Sequence, residues 1–157
     1  MKSKKKTLVE ALIYVLLIIV CVWLVPKYVV QRTVVSGESM QDTLQNGESL
    51  LVDKVSYHFT DPKRYDIIVF PYQYEENTYF IKRIIGLPGE TVQIVDGIIY
   101  IDGEALQESY GREVMKNSGL AADPVTLGED EYFVLGDNRN DSTDSRDPSV
   151  GKIPRDR

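Results

Sequence analysis

Residues 11–25 (ALIYVLLIIVCVWLV) run for fifteen positions without a charge, and no other stretch of the chain restricts its fold as tightly. Leu8, Val9, Tyr28, Val29 and Val30 extend the apolar stretch past Glu10 and Lys27. A helix needs about 20 residues, at about 1.5 Å each, to cross a hydrocarbon core, and a lysine near the end can reach back to the headgroups. Trp23 and Tyr28 suit an interfacial aromatic belt. Residues 8–30 are therefore predicted to form a single transmembrane anchor. Lys2, Lys4, Lys5 and Lys6 precede it, and the bias of basic residues toward the cytoplasmic side makes residues 1–7 a cytoplasmic tail and residues 31–157 an extracytoplasmic domain.

A basic start and an apolar core are also what a cleaved secretory signal shows. The exit from the run reads Pro26-Lys27-Tyr28-Val29-Val30-Gln31-Arg32, with no pair of small residues spaced for cleavage, so the segment is predicted to be retained. About ten residues then separate the anchor from Ser39, which holds that serine near the bilayer surface.

Charge divides the chain at the same place. Residues 1–35 carry six basic side chains against Glu10, a balance of +5, so the net charge of −6 leaves −11 on the remainder. A domain that acidic excludes nucleic acid as a partner, because such affinity comes from neutralising phosphates. Cys21, the only cysteine, lies inside the apolar run, so the outer domain has no internal disulfide and no thiolate metal site.

Beyond Val34 the chain reads as mainly β. Short β-branched and aromatic runs at 49–55, 66–70, 78–85, 91–95, 98–101 and 131–135 are punctuated by turn residues, and several are nearly solid apolar. Asp96-Gly97 between two such runs predicts a type I′ hairpin, and Asp102-Gly103 closes the second. Gly86-Leu87-Pro88-Gly89 ends the strand that carries Lys82. Residues 109–123, polar and rich in small side chains, read as a surface excursion.

Three patches hold residues able to do chemistry: Ser36-Gly37-Glu38-Ser39-Met40, Tyr79-Phe80-Ile81-Lys82-Arg83, and Gly136-Asp137-Asn138-Arg139 running on to Asp144-Ser145-Arg146. A serine nucleophile needs a base, and His58, the only histidine, lies outside any acid- and serine-rich context. A lysine serves only when neutral, which requires an apolar neighbourhood to draw its pKa from about 10.4 toward 8. Strand alternation puts Lys82 on one face with Phe80 and Ile84, and Arg83 on the other with Ile81 and Ile85. Strand pattern alone favours reading Lys82 and Arg83 as ordinary charges at a sheet edge. Residues 137–147 hold four aspartates and two asparagines and could be read as a calcium loop. They lack the glycine and terminal glutamate of an EF-hand, and Arg139 and Arg146 put positive charge where the cation would sit.

Taken in order, Ser36-Gly37-Glu38-Ser39-Met40-Gln41-Asp42-Thr43-Leu44 and the segments 47–54, 64–70, 79–92 and 134–146, behind an N-terminal anchor, resemble the bacterial single-span type I signal peptidases. The resemblance implies a coiled-sheet or barrel-like β domain with no cofactor and no metal. It implies a membrane-bound serine endopeptidase that removes signal peptides from exported preproteins after small residues at the first and third positions before the cut. Residue by residue, Ser39 would be the nucleophile and Lys82 the general base. Ser142 would hydrogen-bond the Lys82 amine, while Asp144 and Arg146 would pair to hold their loop. Met40, Leu44, Phe80 and Ile81 would line the shallow substrate pockets. The partners implied are preproteins and their signal peptides, membrane lipid, and the neighbourhood of the secretion translocon; the location is the cell membrane.

Four departures stand out. Gly37 occupies the place where some relatives carry a serine hydroxyl for the oxyanion, leaving the Ser39 N–H to be joined by another donor. Asp42 stands where proline is usual, and Tyr65 where glycine is usual. Residues 150–154 look like the approach to a further strand, and a domain lacking that strand would have an open sheet edge. The readings from other classes are a catalytically silent membrane-anchored β-domain that binds exported chains, and a self-cleaving serine-lysine repressor relative; an anchor in place of a DNA-binding domain argues against the latter.

Overall fold

The computed structural model describes residues 2–111 and 113–156, which fall into two compact units. The first joins residues 2–34 to 49–61. Its helix α1 (Lys2–Tyr28) is long and apolar enough over Lys4–Tyr28 to cross a membrane. At about 1.5 Å per residue those 25 residues span roughly 37 Å, more than the hydrocarbon core of about 30 Å. Pro26, which lacks an N–H and clashes with the preceding turn, sits in the last turn, where the helix is ending anyway. The sequence reading carried the anchor to Val30. The helix instead stops at Tyr28, and Val30 opens strand β1 (Val30–Val34), which pairs antiparallel with β2 (Ser49–Asp53), Val30 opposite Asp53 and Val34 opposite Ser49. The outer region is thus not one unit, because 31–34 and 49–61 group with the helix.

The second unit comprises Val35–Glu48 and the chain from Pro62 onward. It holds β3 (Ile67–Pro71), β4 (Tyr79–Gly86), β5 (Thr91–Val95), β6 (Ile98–Ile101), β7 (Glu104–Ala105), β8 (Val125–Thr126), β9 (Glu131–Leu135) and β10 (Ile153–Pro154). Two open four-stranded sheets result, ordered β10-β9-β4-β3 and β7-β6-β5-β8. All the pairings are antiparallel.

The solid apolar runs belong to strands buried on both faces. In β4, Ile84 enters one core with Phe70, Tyr132, Val134, Val150 and Ile153, while Ile85 enters a second with Val92, Ile94, Ile99, Phe133 and Leu135. In β9, Tyr132 and Val134 alternate with Phe133 and Leu135 between the same two cores, as a period of two requires. Full burial of each such side chain contributes about 2 kcal/mol. Where β4 pairs with β9 the register slips between Ile84 and Gly86. A Cβ on Gly86 would stand 2.5 Å from Val92 Cγ2, so only glycine allows this close approach.

The β5–β6 turn has Asp96 and Gly97 at φ of 51° and 79°, the left-handed pair of a type I′ hairpin. Residues 109–123 correct the reading of a surface excursion: Met115 and Ala121 are buried in the second core, and Tyr110 lies on Arg83.

Candidate active site

Ser39 sits in a turn closed by Gln41 N–H to Glu38 O at 3.0 Å and Leu44 N–H to Met40 O at 2.8 Å, with the Met40 side chain buried beneath. The segment after β9 grips this turn through its carbonyls. The Asn138 N–H donates to Ser39 O at 3.0 Å, and the Asn138 amide nitrogen to Glu38 O at 3.1 Å. Gly37, at φ 105°, donates its N–H to Asn46 Oδ1 at 3.1 Å. Asp42 takes φ 79°, which a proline ring, fixed near −65°, cannot adopt.

Lys82 lies in β4, between β3 and β9, and is 3% exposed, so it is not an edge charge. Its Nζ donates to Ser39 Oγ at 2.8 Å and to Ile81 O at 3.0 Å, and stands 4.9 Å from the centre of the Phe80 ring. Burial pushes the amine down from 10.5 to about 8, against the opposing pull of the Asp144 carboxylate. The structure therefore brings a hydroxyl and a largely desolvated amine into contact.

Arg83, on the opposite face, is also buried. Its Nε and Nη2 grip Asp137 at 2.8 and 2.6 Å, its Nη1 donates to Tyr65 O at 2.8 Å, and its guanidinium carbon lies 3.7 Å from the centre of the Tyr110 ring. The Thr43 hydroxyl donates to the same Asp137 carboxylate, which ties the turn that bears Ser39 to the arginine. Tyr65 holds φ 75° where a glycine would be unstrained; its N–H donates to Ile84 O at 2.8 Å, its hydroxyl to Gln107 O at 3.0 Å, and its ring lies 5.1 Å from that of Tyr110.

Asp144 and Arg146 form the anticipated pair, with Nε to Oδ1 and Nη2 to Oδ2 both at 2.8 Å. Asp144 also accepts from Gly136 N–H at 3.1 Å, and Arg146 donates to Arg139 O and Asn117 O. Arg139 in turn forks onto Glu108. Asp137 and Asp144 thus face guanidinium groups, and among the described residues no group of three or more metal-ligating side chains converges.

Ser142 corrects the sequence reading. Its hydroxyl does not bond Lys82; Oγ is buried without a hydrogen-bond partner, crowded against Gly136, whose added Cβ would also come within 2.5 Å of Ser39 O. Of the predicted pocket residues, Met40 is buried, and Leu44, Phe80 and Ile81 are half-buried. Phe80 stacks on Tyr72, centroids 4.5 Å apart, and meets Phe70 edge-on. His58 lies in the first unit, in a short 3-10 turn. Thr43, Asn138 and Tyr110 were not singled out individually from sequence. The spacing Thr43 to Ser39 within one turn, and Asn138 beside Asp137, were the only local signals available.

A hydroxyl held against a desolvated lysine on an open β scaffold is an arrangement in which a serine nucleophile can be activated. Residues 7–157 match the model of the signal peptidase family, peptidase S26. The chain is 36% identical over 152 residues to signal peptidase I P of Bacillus subtilis subsp. natto, covering 92% of this chain and 82% of that protein. It is 37% identical over 162 residues to signal peptidase I of Bacillus licheniformis, covering 99% and 86%. Among solved structures, signal peptidase I from Enterococcus faecalis V583 superposes with a TM-score of 0.51 at 37% identity, covering 62% of this chain and 92% of that one. The chain belongs to peptidase family S26, the signal peptidases.

Proposed function

We propose that this chain is a membrane-anchored endopeptidase that removes signal peptides from exported preproteins with a Ser39–Lys82 dyad. The observation that carries the reading is the 2.8 Å contact between Lys82 Nζ and Ser39 Oγ, with the amine drawn down to about 8. A neutral Lys82 accepts the hydroxyl proton as Oγ attacks the scissile carbonyl. The resulting ammonium returns that proton to the departing amine of the mature protein. The acyl-enzyme is then opened by a water that gives its proton to Lys82; the ammonium returns that proton to Ser39 Oγ as the C–Oγ bond breaks, and the signal peptide leaves as a carboxylic acid that ionises in solvent. The Ser39 N–H stabilises the oxyanion, a well-aimed donor being worth about 3 kcal/mol. The Gly37 N–H is engaged by Asn46, so the second donor in this reading is not that group as it stands.

Asp144 and Arg146 hold the loop beside the amine, and the unpartnered Ser142 hydroxyl has no other demand on it when the site rearranges around substrate. Met40, Leu44, Phe80 and Ile81 supply an apolar floor, shallow enough to select small side chains by steric exclusion. The substrate is held as an added strand whose backbone bonds do not read its side chains. Residues 1–7 face the cytoplasm, α1 crosses the cell membrane, and the catalytic residues work outside, near the translocon and the lipid surface.

Incubation of the detergent-solubilised chain with a preprotein, beside Ser39→Ala and Lys82→Met, tests this. Processing by the parent and loss in both variants is expected. An inactive, folded parent points to a silent binding domain, and active variants refute the dyad.

A further inference from the structure

The first unit carries a feature that peptide cleavage leaves unexplained. Beyond β2 the chain turns back on the exit of α1: the Lys54 N–H donates to Val29 O at 2.9 Å, and the Lys54 ammonium to Lys27 O at 3.3 Å. A short 3-10 turn, Ser56–His58, follows immediately. Its geometry is fixed by Asp53, whose carboxylate accepts from the N–H groups of Val55 at 2.7 Å and Ser56 at 3.1 Å and from the Ser56 hydroxyl. Thr60 closes the far side, its N–H and hydroxyl both donating to Ser56 O at 3.0 Å. A turn secured this well still leaves Phe59 82% exposed and Tyr57 39% exposed beside it. Neither hydrophobic core takes in an aromatic side chain from this turn.

We infer that residues 54–59 form an aromatic foot that rests in the lipid headgroup layer at the exit of α1, with Tyr57 and Phe59 entering the interface and Lys27 and Lys54 beside them. The inference rests on the reading of α1 as a membrane span. Three observations select lipid as the occupant. The foot is hydrogen-bonded to the last turn of the helix. The 3-10 turn at its centre is short, three residues advancing only about 6 Å, comparable to the interfacial layer of roughly 5–8 Å on each side of the hydrocarbon. The composition, two aromatics with two ammonium groups, matches what interfaces collect, and Lys27 already lies 5.0 Å from the centre of the Tyr28 ring in the same zone. The foot and the helix then fix the tilt of the exit together, where a lone span would be free to adjust.

Trp23 is the only tryptophan, which gives the test its internal standard. The full-length parent and a Trp23→Phe, Phe59→Trp variant are reconstituted in phosphatidylethanolamine–phosphatidylglycerol vesicles. Fluorescence is read against lipids carrying a nitroxide just below the headgroup, lipids carrying it at the chain end, and aqueous iodide. The single indole of the variant is expected to shift to the blue on reconstitution, to lose emission mainly to the shallow nitroxide, and to be shielded from iodide. Quenching of Trp23 by lipid in the parent, with the variant's indole quenched only by iodide, overturns the foot and leaves the span intact. A Trp23 that no lipid label quenches overturns the span, and the foot with it. Iodide shielding of the variant's indole without nitroxide quenching means that protein covers the position, and also refutes the inference.

Discussion

Raising the pH from 7 to 9 is the sharpest perturbation of this site, because three candidate bases respond to it by different factors. Moving Lys82 from 10.5 to about 8 corresponds to about 3 kcal/mol, at about 1.4 kcal/mol per pH unit. With the neutral amine as the active form, its population rises about tenfold between pH 7 and pH 9 when it titrates near 8. A lysine left at its ordinary value would rise about 100-fold over the same interval, and a histidine near 6.5 by only about 1.3-fold. The assay is kcat/KM for a preprotein with an alanine-x-alanine site, across pH 6 to 10, in buffers of constant ionic strength. Because kcat/KM reports the free enzyme, its midpoint is expected near 8, with unit slope below and a plateau above. A plateau already reached by pH 7 would refute Lys82 as the base; a rate still climbing tenfold per unit at pH 9 would refute its desolvation.

The same shift has a consequence for stability, since above 10.5 the amine is neutral folded or unfolded, between 10.5 and about 8 only the unfolded chain binds the proton, and below 8 both do. The parent therefore gains stability as pH rises from 8 to 10.5, and Lys82→Met is expected to exceed it by up to about 3 kcal/mol at pH 7, with the gap closing between 8 and 10.5, read from Tm in detergent. Gly136→Ala sets a methyl 2.5 Å from Ser39 O, which displaces the serine; a misplacement of 1 Å costs about 100-fold in kcat, with unchanged kcat as the refuting result. Asp137→Leu leaves Arg83 buried and unpaired and is expected to destabilise by about 3–5 kcal/mol, with much of that recovered in the Arg83→Met, Asp137→Leu double variant; a double variant no better than the single would show that the ion pair is not the source of the loss.

Strands were readable wherever local chemistry was decisive. Asp96-Gly97 admits little besides the turn it makes, so β5 and β6 were predicted to the residue, and the short apolar run at 131–135 likewise defined β9. β1 was not readable, because Val30 continues the hydrophobicity of the anchor and only the partner strand Ser49–Asp53, far along the chain, makes 30–34 a ribbon. The interior role of Met115 and Ala121 was hidden in a polar context for the same reason: burial there is decided by β5 and β6. At the site, alternation put Lys82 with Phe80 correctly, yet its choice between edge and centre depended on β9, which pairs with β4 from about fifty residues on. Ser142 was assigned a contact with Lys82 by resemblance; the side chain reached the site without making that bond.

Tyr65 carries a historical consequence. Its left-handed backbone, at φ 75°, carries a strain of about 1–3 kcal/mol for a non-glycine residue. The Tyr110 ring, which also covers Arg83, offsets part of that with an aromatic contact of about 0.5–1.5 kcal/mol. The order of change at these two positions is therefore not symmetric. Exchanging Tyr65 for glycine relieves the strain, because glycine takes the same backbone freely, and gives up the bond to Gln107 O and the ring contact with Tyr110 in return. Losing Tyr110 first strands Tyr65 in its strain and uncovers the arginine at once. Of the two tyrosines, residue 65 is therefore the one at which replacement by glycine has a compensating gain.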